Sequence, residues 1–268
     1  MAAVSPWPTA AQQSRRVSAI LARLASAGSV SIGAIATELG VSSATIRRDL
    51  TALEEQNLLT RTHGGAVARE GAAELPVRYR AGQGQQQKQA IARAAMRGLP
   101  AGPYVVAVNG GTTTREVARL LASRTELTVV TNALNIAMEL AMRPRVRLVV
   151  TGGRARNRSC ELVGPWAERT LGSINIGTAF IGVDGISARN GVSTHDEVEA
   201  RINAIMIERS RRVVVVADGT KIGRNLLAHV VPVSAVDELI TDSGADATEL
   251  AAIRARNVTV TIADTPVR

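Results

Sequence analysis

Two groups of residues in this chain have the types and spacing to do chemistry. The first comprises Ser43, Ala44, Thr45, Arg47, Arg48 and Thr51. Ile46, Leu50 and Leu53 recur at i, i+4 and i+7, which makes one apolar helical stripe. Ala44, Arg48 and Thr51 then lie on the opposite face, with Thr45 and Arg47 at its flanks. An arginine-bearing face at the start of a helix meets the requirement of major-groove reading, because one guanidinium bonds guanine O6 and N7 together. The alternative is that Arg47 and Arg48 only solvate an ordinary amphipathic helix.

The second group is Asn109, Gly110, Gly111, Thr112, Thr113 and Thr114, which follows an apolar run and opens a helical one. Glycines let the backbone approach a ligand, hydroxyls donate hydrogen bonds, and a helix N-terminus favours an anion. Neither the Gly-Lys-Ser/Thr of a P-loop nor the GxGxxG of a dinucleotide fold is present, so a small phosphate ester fits better than a nucleotide. A strand–turn–helix junction with no ligand is the other reading. Further polar groups close later apolar runs: Thr131-Asn132, Thr151-Gly152-Gly153-Arg154, Asp184-Gly185 and Asp218-Gly219-Thr220-Lys221. The chain has 30 arginines and only two lysines, Lys88 and Lys221, which suggests positions where a compact ammonium serves better than a planar fork.

The elements that must position the first group are short. Ser14 to Ala27 carries Val17, Ile20, Leu21 and Leu24 at helical spacing and ends at Gly28. Ser31 caps a second helix whose buried side is Ile35, Ala36 and Leu39. Ala36, Gly40 and Ile46 sit at the offsets of a helix-turn-helix: a small residue at the crossing, a glycine in the turn and an apolar anchor beyond it. Ser42 stands where the N-cap of the reading helix belongs. Leu58 to Thr62 reads as a strand and His63-Gly64-Gly65 as a turn. The product is a wing able to lay Arg61 and His63 on a neighbouring DNA backbone or minor groove. Val67 to Gln87 loses periodicity and reads as a linker.

From Lys88 the pattern alternates. Helices are expected at Lys88–Arg97, Thr112–Leu121, Ala133–Ala141, His195–Arg209 and Glu249–Arg256. Apolar strands are expected at Tyr104–Asn109, Leu127–Thr131, Val146–Thr151, Thr178–Val183, Val213–Ala217 and Val258–Ile262. Continuous apolar strands between helices imply a mostly parallel α/β sheet covered on both faces, which binds ligands beyond the strands' C-terminal ends.

The combination of TIRRDL (Thr45 to Leu50) with RTHGGA (Arg61 to Ala66) resembles the DeoR family of bacterial transcriptional regulators, nearly residue for residue from Ser14 to Ala66. Family-like positions continue at Lys88, Gly111-Thr112-Thr113, Thr131-Asn132, Gly152-Gly153, Asp184-Gly185, Glu199-Ala200, Asp218 and Lys221. The resemblance thus spans nearly the whole chain after residue 13. It implies a winged helix-turn-helix head and an effector domain similar to ribose-5-phosphate isomerase and the CoA-transferases. It also implies a double-stranded DNA operator and a phosphorylated sugar or related anionic metabolite as partners. On that reading Asn109, Gly110, Gly111, Thr112, Thr113, Thr131, Asn132, Gly152, Gly153, Arg154, Asp184 and Lys221 hold the effector. Asn109 departs from the family, which usually has an aspartate there.

Hydrophobic residues make up 46% of the 268 residues and aromatic ones 2%, so aliphatic side chains must fill the core. No apolar run approaches the ~18 residues of a membrane span. MAAVSPWPTAAQQ lacks the features of a signal peptide and reads as a disordered lead. Cys160 is alone, which leaves no internal disulfide and no zinc cluster. A cytoplasmic protein without metal or cofactor is expected. The formal net charge is +9, with its excess between Val67 and Cys160, whereas Glu161 to Arg268 is acidic. That excess could hold DNA nonspecifically or attract an anionic ligand. The domains expected are 1–13 (lead), 14–66 (reading head), 67–87 (linker) and 88–268 (effector-sensing). A repressor acting as a homo-oligomer, dimer or tetramer, is the leading expectation. The alternative is a sugar-phosphate isomerase carrying a DNA-binding head, with Asp184, Glu197, Glu199 and Lys221 as candidate groups.

Overall fold

The structure, a computed structural model, describes residues 10–68, 74–80 and 82–264. The chain divides into two compact units, Met1–Gln83 and Gly84–Arg268.

In the first unit α1 (Ala10–Ala27) leads into β1 (Ser29–Ser31), α2 (Ile32–Leu39), α3 (Ser43–Glu55), β2 (Leu59–Thr62), β3 (Gly65–Ala68) and the single turn α4 (Val77–Arg80). Helix α1 starts four residues before Ser14, through Ala10, Ala11, Gln12 and Gln13, which are all good helix formers. Residues 1–9 of the expected lead lie outside the described residues. Ile20, Ile46, Leu50 and Leu53 are fully buried, and with Val17, Leu24, Ile35 and Leu59 they make the core of this unit. Gly40 ends α2 at φ 62°, a left-handed conformation that a side chain disfavours. Ser42 caps α3 by accepting the Thr45 N–H at 3.2 Å. Ser31 is the N-cap residue of α2, as expected, but its side chain makes no capping hydrogen bond, and it also closes β1, paired with Gly65.

The wing is a three-stranded antiparallel sheet in the order β1-β3-β2. At Gly65 a Cβ would stand 1.8 Å from the Val30 carbonyl oxygen, so only glycine lets β1 and β3 approach. Part of the expected linker belongs to this unit. Val67 and Ala68 finish β3, Val77 is buried, and Ser18 Oγ donates to the Tyr79 carbonyl at 2.6 Å.

The second unit continues with α5 (Gln85–Met96), β4 (Tyr104–Val108), α6 (Thr112–Leu121), β5 (Leu127–Thr131), α7 (Leu134–Ala141) and β6 (Arg147–Val150). A hairpin of β7 (Arg154–Arg156) and β8 (Glu161–Val163) precedes α8 (Pro165–Gly172) and β9 (Ile176–Ile181). Then come β10 (Gly185–Ser187), β11 (Gly191–Thr194), α9 (Glu197–Glu208), β12 (Ser210–Val216), β13 (Ala228–Val231), β14 (Glu238–Asp242), α10 (Ala247–Arg254) and β15 (Thr259–Ala263). Seven strands form one sheet in the order β15-β14-β12-β9-β4-β5-β6, with every neighbouring pair parallel. Alternate residues of its strands feed two cores. Val106, Val108, Val129, Phe180 and Val214 pack with Ile91, Val117, Leu121 and Ile136, whereas Ala107, Val130, Ile181, Val213 and Val215 pack with Ile202, Met206 and Leu171. Burial on both faces explains why these strands read as unbroken apolar runs. A smaller antiparallel sheet, β10-β11-β13, joins the second core.

The strand order sets the site. From β4 the chain moves outward through β5 and β6, then returns to β9 on the other side of β4 and continues outward through β12, β14 and β15. The crevice between the C-terminal ends of β4 and β9 is therefore a topological switch point, the place where open α/β sheets hold ligands.

Candidate functional site

In the first unit the candidate DNA-reading residues gather on one helix and the wing. Ala44, Arg47 and Arg48 are exposed on α3, with Ser43, Thr45 and Thr51 half-buried beside them. Asp49 points the other way. It is buried and takes Arg16 of α1 in two hydrogen bonds, at 2.8 and 3.2 Å, which fixes the rotation of α3 against α1. The wing is tied to the same helix. Arg61 Nη1 donates to Thr51 Oγ1 at 3.0 Å, and the Arg61 N–H donates to Glu54 Oε1 at 2.9 Å. His63 sits exposed at the wing tip. Arg16, Asp49 and Glu54 were not singled out from sequence. The signal for Asp49 was a charged residue three positions after Ile46, on the buried side of the helix.

In the second unit several effector candidates meet at the switch point, in different roles. Asn109 is buried and staples the crevice. Its Nδ2 donates to the Gly182 carbonyl (2.9 Å) and to Asn203 Oδ1 (3.1 Å), and its Oδ1 accepts the Gly182 N–H (2.8 Å). Both amide hydrogens are used, which an aspartate could not supply, and this gives a physical reason for asparagine here. Thr131 is also committed: its hydroxyl donates to the Val108 carbonyl at 2.7 Å and accepts the Ala133 N–H at 3.1 Å.

The Gly-rich loop itself stays open. Gly111 is the N-cap of α6 with φ 143°, and no side chain caps the helix. Thr112 is half-buried, Thr113 is buried, and Thr114 Oγ1 is buried with no hydrogen-bond partner. Gly110 faces Glu161, so closely that a Cβ there would lie 2.2 Å from Glu161 Oε1. Asn132 Nδ2 donates to Glu161 Oε2 at 3.3 Å, while Asn132 Oδ1 is buried without a partner.

Glu161 is the main residue that the sequence reading missed. Burial raises its pKa, the charges of Glu199 and Asp184 raise it further, and hydrogen bonds from Asn132 and the Gly110 N–H oppose them. The outcome is a carboxyl pushed up to about 8. Around it, Thr194 Oγ1 donates to Asp184 Oδ2 at 3.1 Å, and Arg156 reaches Glu199 Oε1 and Asp196 Oδ2, each at 3.0 Å.

Other candidates stand at other strand ends. Gly152 (φ 73°) and Gly153 (φ 118°) turn the chain from β6 into β7, and Arg154 is exposed on that hairpin. Lys221 ends a 3-10 turn, Gly219–Lys221, whose next residue, Ile222, bridges to Ile186 of β10. That strand begins directly after Asp184, so the Lys221 and Asp184 segments are neighbours. Among the described residues no group of His, Cys, Asp or Glu could hold a metal ion, and no helix is long and apolar enough to cross a membrane.

Taken together, the units define a winged helix-turn-helix protein with a doubly wound α/β unit. Residues 16–71 match the DeoR-like helix-turn-helix domain and residues 83–243 the DeoR C terminal sensor domain. The chain belongs to the DeoR family. It is 36% identical to a putative aga operon transcriptional repressor of Escherichia coli O157:H7, over 92% of this chain and 93% of that one. It is 32% identical to the glycerol-3-phosphate regulon repressor of Escherichia coli K12, over 87% and 92% respectively. Among solved structures, ribose 5-phosphate isomerase A of Methanocaldococcus jannaschii shares 18% identity over 52% of this chain and 53% of that one, at a TM-score of 0.37. The sorbitol operon regulator SorC of Klebsiella pneumoniae shares 13% over 78% and 90%, at 0.34.

Proposed function

We propose that this protein is a cytoplasmic transcriptional repressor of carbohydrate-metabolism genes, not an enzyme, and that it leaves its operator when a phosphorylated sugar or related anionic metabolite fills the crevice. As a dimer or tetramer it would place two heads on a symmetric site. Arg48 and Arg47 would read base edges, and Arg61 and His63 would hold the backbone. The relatives' names, repressors of the aga operon and of the glycerol-3-phosphate regulon, support the direction of regulation. The observation that carries the reading is the uncapped N-terminus of α6 at the β4/β9 switch point, with Thr112, Thr113 and the unpartnered Thr114 hydroxyl beside it. Lys221 would supply the counter-charge from the neighbouring turn. The ligand would shift the population between conformations that hold and release operator.

A thermal-shift screen against phosphorylated sugars and polyols finds the ligand, since 100 times its Kd adds about 2.7 kcal/mol. Operator titrations with and without it then test the site. Thr112→Ala removes one charge-assisted hydrogen bond, about 1.5–3 kcal/mol, and weakens the response by about one to two orders of magnitude. Lys221→Ala does at least as much, and both leave ligand-free operator affinity unchanged. A normal response in both variants places the effector elsewhere. The second reading, an isomerase, draws on the buried, raised carboxyl of Glu161, which suits proton transfer. Turnover of aldose and ketose phosphates, lost in Glu161→Gln, would establish it.

A further inference from the structure

A cavity of about 670 Å³ opens beside the small β10-β11-β13 sheet, and none of the effector candidates lines it. Asp184 stands directly before β10, whereas the cavity's Ala188, Arg189 and Asn190 follow directly after that strand. Its size falls within the roughly 300–1,000 Å³ of small-molecule sites. Arg189 and Arg256 bring two fixed positive charges to the lining, His229 an imidazole, and Asn190, Asn225 and Asn257 amides able to donate. Among the described residues no carboxylate lines the cavity, although Glu161 to Arg268 is acidic as a whole. Glu249 touches its wall from α10, where Oε1 accepts the Ala188 N–H at 2.7 Å. The side chains of Arg189, His229 and Arg256 are exposed and bond to no other described residue.

Three separate segments bring these groups together. Arg189 rides on the β10–β11 turn, which Ser187 Oγ steadies by accepting the Asn190 N–H at 3.0 Å. His229 belongs to β13, whose ladder with β11 shifts register: Val192 pairs with Val231 but Ser193 with His229. Such a bulge re-aims the side chains beside it. Asn257, at φ 65°, turns the chain from α10 into β15 just after Arg256. An apolar wall completes the cavity. It comes from Leu226, Pro232, Val233 and Leu227, and Leu227 is 92% exposed.

We propose that this cavity is a second ligand site, which takes a small organic anion with two negative groups on a carbon body, a dicarboxylate or a bisphosphonate-like ester. Each guanidinium can fork onto one carboxylate or phosphoryl group, so two arginines call for two anionic ends. A metal cation would be repelled, and a lone inorganic anion would leave the leucine wall uncovered. Nothing in this depends on what fills the crevice between β4 and β9.

The test is isothermal titration of the full chain at constant pH with two matched pairs: succinate against butyrate, and propane-1,3-bisphosphonate against propylphosphonate. At least one dianion is expected to bind about tenfold tighter than its singly headed partner, and the pair that responds tells carboxylate from phosphoryl chemistry. Arg189→Gln and Arg256→Gln should each weaken that dianion by about tenfold, while Thr112→Ala leaves it unchanged. Both arginines are exposed and unpaired, so the variants should melt like wild type in the absence of dianion. The chain has three histidines, and on titration the imidazole proton signal of His229 should move while those of His63 and His195 stay still. The signal is assigned by its loss in His229→Gln. The proposal is overturned if neither dianion outbinds its partner, or if binding survives both arginine substitutions. Loss of binding in Thr112→Ala with a still His229 signal would place the dianion in the crevice and overturn it equally.

Discussion

Raising the pH should loosen the second unit through one residue. The Glu161 carboxyl moves from an ordinary 4.5 to about 8 in the folded state, chiefly because burial penalises its charge and Glu199 repels it. Between those values the folded unit holds a proton that the unfolded chain has released. The stability tied to that proton is therefore complete below pH 4.5 and is lost as the pH climbs through 8. A tenfold change in proton affinity is about 1.4 kcal/mol, so the whole contribution is at most about 5 kcal/mol. Glu161→Gln keeps the shape and cannot ionise. Its amide oxygen can still accept one of the two bonds, from Gly110 or from Asn132. The variant should match wild type near pH 5 and be more stable by a few kcal/mol at pH 8.5. The assay is hydrogen exchange of peptides spanning β4 and β9, corrected for the intrinsic pH dependence, because the reading head has a separate core and would blur a whole-chain melt. A difference between wild type and variant that stays constant from pH 5 to 8.5 would show that Glu161 carries no such proton.

The reading head supplies further tests. Arg48→Ala should reduce discrimination between operator and random DNA by about 1–3 kcal/mol, concentrated at one base pair of each half-site, as measured by competition binding. Arg61→Ala should instead weaken binding to every sequence and flatten its salt dependence. Asp49→Ala leaves Arg16 buried without its partner, so the head should lose about 3–5 kcal/mol in urea denaturation while the second unit keeps its own transition.

What the sequence made legible was local and periodic. Ile46, Leu50 and Leu53 announce their helix and are fully buried, and Gly40 and Ser42 mark the turn and cap that the structure forms. The alternation from Lys88 onward is enough for a parallel sheet, because only strands buried on both faces read as unbroken valine and isoleucine. Strand order is not a local property, so nothing near Asn109 says that Gly182 will be its neighbour. Glu161 was invisible for the same reason. It lies beside a lone cysteine in a short run, and only the β7–β8 hairpin carries it back to Ala133 and lets the Leu162 N–H reach the Asn132 carbonyl at 2.6 Å. Strand β1 is three residues long, too short for a period, so the sequence shows Ser31 as the N-cap of α2 and not also as the end of a strand. Asn109 stands after β4, where its loop put it, and the sequence offers no sign of the bonds its side chain makes to Gly182 and Asn203.

The staple spans 73 positions of sequence, from β4 to the end of β9. A chain leaving the ribosome can pair β4 with β5 and β5 with β6 early, since those contacts are close in sequence. It cannot close the crevice until Gly182 has emerged, and closing so long a loop is slow as well as entropically costly. During synthesis, then, one edge of β4 waits unpaired, the kind of edge that invites wrong partners. Fragments ending before Ile176 should carry half a sheet with that edge open, and their tendency to aggregate should vanish once β9 is included.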